Sequence, residues 1–309
     1  KLAGDIKQLK AQVKDILQVE KGKSPEANAP GKLGSSLDFA DSFLKFDEFS
    51  SLIPASCSMS MPEDRLLRIE RVFKILETAT DLLFQKDAYL ILGKKANGLP
   101  IIWDKNFNNS DIVVAPDGQV CLTAADIFDK KMAELSEFYA AIRIAKLEVA
   151  NQYNSEIHSD FFSHFDWRSF SFEEMSASPM VFMVTIDDVM MENELNEFSK
   201  MLASNRPVKT IILRLGDSIG KTNTDTVMDF GFRQELGAIA VAHRNTFVFQ
   251  IAGNAPAMLI QGYSDGLSAF VPALFYIFSP VKDEQSLSSQ ALWTSAAIEG
   301  REFPGFVYD

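Results

Sequence analysis

The second half of this chain predicts an α/β fold: three layers around a mostly parallel sheet. Two observations carry that expectation. First, four apolar runs, PMVFMVTI (179–186), VKTIILRL (208–215), TFVFQIA (246–252) and PALFYIF (272–278), are nearly continuous, as strands buried on both faces are. Second, stretches with helical spacing lie among them, such as Met191, Leu195, Phe198 and Leu202. From Pro179 to Asp309 the order reads strand, helix, strand, strand, helix, strand, helix. Such a sheet binds ligands at the carboxyl ends of its strands.

The first half reads as helical with a small β insertion. Leu2, Ile6, Leu9, Val13, Ile16 and Leu17 form one stripe, so residues 1–20 predict an amphipathic helix. Residues 22–36 (GKSPEANAPGKLGSS) read as a linker. Ser60-Met61-Pro62-Glu63-Asp64 has the cap, proline and acids of a helix start, and that helix runs to about Gln85. Short β pieces follow over 87–123: AYLILG (88–93), PIIWD (100–104), DIVVA (111–115) and QVCLT (119–123), with hairpin-type turns at Asn97-Gly98 and Asp117-Gly118. A long helix is expected over Ala124–Gln152, on Leu135, Phe138, Ile142, Ala145 and Val149. DFFSHFDWRSF (160–170) reads as a segment packed against the sheet domain, and Ser171 with Glu174 has the spacing of a capping box. The expected domains are therefore 1–153, helical with the insertion at 87–123, and 154–309, the α/β domain.

Composition narrows the function classes. With 47% hydrophobic and 23% charged residues, the 309-residue chain is ordinary for a globular protein. The net charge of −12 argues against nucleic acid as a partner. A local exception is the first 24 residues, where Lys1, Lys7, Lys10, Lys14, Lys21 and Lys23 outnumber Asp5, Asp15 and Glu20; a solvated helix face accounts for it. No apolar stretch approaches the ~20 residues that span a bilayer, and no secretory signal is visible, so a cytoplasmic protein is expected. Cys57 and Cys121 are the only cysteines; a reducing compartment suits them, and two thiols cannot hold a four-cysteine iron–sulfur cluster. Opening at Lys1 with no initiator Met, the chain reads as a piece of something longer.

Candidate chemistry is sparse. His158, Asp160, His164 and Asp166 do not have zinc spacing, and packing explains them better. Gly216 to Thr222 looks like a phosphate loop one residue short, which argues against nucleoside triphosphate hydrolysis. His243 sits in a polar turn near a strand end, and no serine-hydrolase elbow occurs. Asp187 and Asp188 close the first strand of the α/β domain. An Asp there either caps the next helix or holds a divalent cation bridging a diphosphate; on these residues alone the cap is favoured.

Residues 175–309 resemble the thiamine-diphosphate-binding C-terminal domain of pyruvate:ferredoxin (flavodoxin) oxidoreductases. The resemblance rests on FSKMLASNRPVKTIILRL (198–215), FRQELGAIAVAHRNTFVFQIAGNAPAMLIQGY (232–263), PALFYIFSP (272–280) and the tail AAIEGREFPGFVYD (296–309). PEDRLLRIE (62–70) and AAIRIAKLEVANQY (140–153) resemble parts of large divergent relatives. The resemblance implies thiamine diphosphate held through magnesium, with Asp187 as metal ligand and Asp188, Asp217, Thr222 and Asn223 as further cofactor-binding candidates. The family's Gly-Asp-Gly falls on Ile186-Asp187-Asp188, so only the Asp is kept. A β-branched residue and a second carboxylate would crowd the diphosphate and repel it.

The expectation is thus a degenerate cofactor domain of a 2-oxoacid oxidoreductase-like protein, with no catalytic residue of its own and inactive alone. The alternative is a non-catalytic structural or interaction module. Its partners would be the remaining domains or subunits of a larger protein, and a homo-oligomer is expected.

Overall fold

The computed structural model describes residues 2–23, 60–78, 88–93, 110–185, 191, 193–214, 235–253, 256–279 and 287–309. Its strands are β1 (Ala88–Leu92), β2 (Ser110–Val114), β3 (Met180–Thr185), β4 (Lys209–Arg214), β5 (Phe247–Ala252), β6 (Ala273–Phe278) and β7 (Phe306–Tyr308). The helices are α1 (Leu2–Gly22), α2 (Glu63–Thr78), α3 (Val120–Val149), α4 (Ser155–Ser163), α5 (Phe172–Ser176), α6 (Leu195–Ala203), α7 (Leu236–Ala242), α8 (Pro256–Ser268) and α9 (Leu287–Glu299).

The chain divides into two compact units. One comprises 1–83 and 133–174, the other 84–132 and 175–309. In the second, seven strands form one sheet in the order β2-β1-β3-β4-β6-β5-β7. Every pairing is parallel except β5 with β7. The mostly parallel α/β sheet expected from the apolar runs is therefore present. β3, β5 and β6 are buried almost throughout, which is why their sequences do not alternate.

The sheet is larger than the sequence suggested. AYLIL and SDIVV are not a separate insertion: β1 pairs in parallel with both β2 and β3, with Ala88 opposite Ser110 and Met180. QVCLT, expected as β, instead opens α3, after a turn in which Gly118 has φ of 71°. That left-handed value suits a residue without a Cβ. AIAVA (238–242), adjacent to the anticipated strand end, is the body of α7. Short apolar runs of five residues do not distinguish strand from helix. The turn at Asn97-Gly98 and the piece PIIWD lie outside the described residues.

Successive strand residues face opposite sides. α8 meets Phe247 and Phe249 through Gly266 and Gly262, whereas α7 meets Gln250 through Gly237. The two helices thus cover opposite faces, giving three layers. One core cluster is Phe247, Phe249, Ile251, Ala273, Phe275 and Ile277, with Tyr263 stacked on Phe275 at 4.8 Å between centroids.

The first unit is helical. α1 buries Ile6, Leu9, Val13 and Leu17, the stripe read from its sequence. α2 starts where expected, with the amides of Arg65 and Leu66 bonded to the Pro62 carbonyl. The buried Glu148 receives Arg65 at 2.8 Å and Arg68 at 2.7 Å, and Arg68 also stacks on Tyr153 at 3.9 Å. The capping box is formed: Ser171 N donates to Glu174 Oε2 at 2.7 Å, and Glu174 N donates to Ser171 Oγ at 3.2 Å. The aromatic segment 160–170 belongs to this helical unit and makes ring contacts within it. Phe165 lies under the Arg143 guanidinium at 4.8 Å, and Phe170 meets Tyr139 edge-on at 4.9 Å.

Candidate functional site

At the carboxyl edge of the sheet, β1 leads toward β2 on one side and β3 toward β4 on the other. The crevice between β1 and β3 is therefore a topological switch point, where open α/β sheets receive ligands. The strands here are joined past their ends. Gly93 N donates to Val184 O at 2.9 Å, Ala115 N to Leu92 O at 2.8 Å, and Ser279 N to Arg214 O at 3.0 Å.

Asp187 and Asp188 follow Ile186, the residue after the end of β3 at Thr185, and Asp217, Thr222 and Asn223 follow Arg214, the last of β4. These five residues lie outside the described residues. Their segments do leave from neighbouring strands, since Phe182 to Thr185 pairs in register with Lys209 to Ile212. Described residues at this edge of the sheet are Gly93, Thr185, Cys121, Glu194 and Arg214.

Gly93 is packed at ordinary contact distance: a Cβ there would sit 3.4 Å from Thr185 Oγ1 and 3.6 Å from Val120 Cγ2. That contact places the first turn of α3 beside the end of β1. The Cys121 amide, one of the α3 donors with no partner inside the helix, is bonded to Glu194 Oε2 at 2.9 Å. Glu194 is 3% exposed and its Oε1 has no hydrogen-bond partner among the described residues. Burial, and then the Glu194 carboxylate, push the Cys121 thiol well above its ordinary range, so it is held as a neutral, unreactive thiol. Arg214 is also buried; its guanidinium lies 5.6 Å over the Phe303 ring, and its Nη2 is 3.8 Å from Glu302.

Glu194 was not singled out from sequence, and no signal in the sequence marks it. It sits between Met191 and Phe198, which are both fully buried, where a lone Glu reads as a solvent-facing residue. His243, by contrast, is found in the polar turn expected, with Nε2 at 3.0 Å from Ser199 Oγ. The imagined cluster of His158, Asp160, His164 and Asp166 does not assemble: no group of three metal-ligating side chains occurs among the described residues. His164 bonds instead to Ser163 and the Asp160 carbonyl, and Asp166 caps the turn at Arg168 N at 2.9 Å. No helix among the described residues is long and apolar enough to cross a membrane.

No protein-family model matches the chain, and no curated protein matches it either.

Proposed function

We propose that the α/β unit is a degenerate counterpart of the thiamine-diphosphate-binding domain of a 2-oxoacid:ferredoxin oxidoreductase-like protein, which does not catalyse alone and serves within a larger assembly. The resemblance of 175–309 supplies the family. The adjacent departure of 186–190 and 215–234 from β3 and β4 supports it, because the positions matched to the cofactor loops then begin side by side.

The observation that speaks against catalysis is Glu194. A diphosphate requires donors and positive potential, and the N-terminus of α3, beside the end of β1, is already occupied by this buried carboxylate. A second anion beside it would be repelled at low effective dielectric. Ile186 and Asp188, in place of the two glycines, act in the same direction. The described residues therefore do not fit the diphosphate, and no catalytic step is assigned to them.

Calorimetric titration of the chain with thiamine diphosphate and magnesium tests the reading. No saturable heat is expected. Saturable, magnesium-dependent binding that disappears in Asp187→Ala overturns it.

A further inference from the structure

At the opposite, amino edge of the same sheet lies a lysine that the proposed function does not use. Lys209 opens β4 and is 2% exposed. Its Nζ donates to the Ala269 carbonyl and, at 3.2 Å, to the Val271 carbonyl, both in the turn that follows α8. An ammonium has three donors, and the turn supplies two acceptors. No carboxylate among the described residues forms an ion pair with it, so among these residues its only partners are the two carbonyls. Burial accordingly draws its pKa down to about 8.

Lys209 also lines a half-open pocket of about 50 Å³. The other walls are mostly apolar, with Phe128, Met132, Met180, Leu267 and Phe270 among them and Ser178 as a polar exception. A buried cation lacking one acceptor, set in an apolar recess, is complementary to a ligand with one negative head and a short hydrocarbon tail. A neutral apolar ligand would leave the charge unpaired, and a dianion would bring one charge too many. The small volume suits a short tail.

We propose that Lys209 and this pocket bind a short-chain aliphatic monocarboxylate, with its carboxylate on the ammonium and its tail against Met132, Met180 and Leu267. The site lies at the other edge of the sheet from the switch point, so it stands or falls independently of the cofactor reading.

The test uses the full chain labelled with [13Cε]lysine, titrated with sodium butyrate at constant ionic strength against sodium chloride. The resonance missing from Lys209→Met identifies Lys209. It is expected to shift saturably with butyrate and not with chloride, and its titration midpoint should move up from about 8 toward the ordinary lysine value. Butyrate binding should be lost in Lys209→Met. Phe270→Asp, which leaves the lysine in place and sets a carboxylate at a partly exposed wall, should weaken butyrate at least ~10-fold. A Lys209 resonance that butyrate leaves unmoved, or that chloride moves equally, overturns the proposal. So does undiminished binding in Lys209→Met. If that variant does not fold, full-strength binding in Phe270→Asp overturns it instead.

Discussion

Two glycines of α8 provide a sharp test of how the helix layer meets the sheet. A Cβ at Gly262 would lie 2.5 Å from the Phe249 ring, and one at Gly266 would lie 2.5 Å from Phe247 and 2.6 Å from Phe275. Carbon atoms pack at about 3.5–4.0 Å, so α8 would have to lift by roughly 1 Å or the rings would have to turn. Turning is blocked, because Tyr263 already stacks on Phe275 and meets Phe249 edge-on. Helix propensity alone predicts that Gly→Ala stabilises by about 1 kcal/mol. Overpacking a close-packed core costs about 1–3 kcal/mol or more. Crowding should win, leaving Gly262→Ala and Gly266→Ala each destabilised by roughly 1–2 kcal/mol. Urea unfolding followed by circular dichroism reads this directly. Gly4→Ala in α1 is the control, since a Cβ there meets nothing within 4 Å, and it should be neutral or slightly stabilising. If Gly262→Ala stabilises as much as Gly4→Ala, the close approach of α8 to the aromatic core is refuted.

Two further outcomes follow from buried charge. Lys209 has its pKa depressed by burial to about 8 from 10.5. The unfolded chain therefore keeps a proton between these values that the folded one releases, and stability should rise with pH across that window, by about 3 kcal/mol at most. Tyr263, raised to about 12, acts oppositely only above pH 10, and Lys209→Met should flatten the rise between 8 and 10 in chemical-denaturation midpoints. Glu148→Gln leaves Arg65 and Arg68 without their shared carboxylate and should cost the helical unit roughly 3 kcal/mol; a loss below about 0.5 kcal/mol in thermal unfolding would reduce the cluster to an ordinary surface pair.

The strands of the second half were legible because burial on both faces leaves a continuous apolar run, as in ALFYIF and FVFQIA. Their local helices were legible from spacing: Phe198 and Leu202 are buried as predicted. What the sequence could not supply was membership of the sheet. AYLIL reads as a strand, but its parallel neighbour begins at Met180, and nothing in a local pattern encodes a pairing over that separation. QVCLT failed for a different reason: four apolar or β-branched residues in a row satisfy either period. The candidate edge was located by topology, whereas its most telling residue was hidden. A carboxylate turned inward to a helix start looks in sequence like any other Glu of an amphipathic helix.

β7 has a consequence out of proportion to its three residues. It lies antiparallel along β5, with Phe306 opposite Gln250 and Tyr308 opposite Val248. Without it, FVFQIA would present a bare row of amides and carbonyls on a flat, uncharged ribbon, the kind of template that recruits further chains into fibres. This brief return of the backbone, running counter to the rest of the sheet, gives Val248 to Gln250 partners within the chain itself.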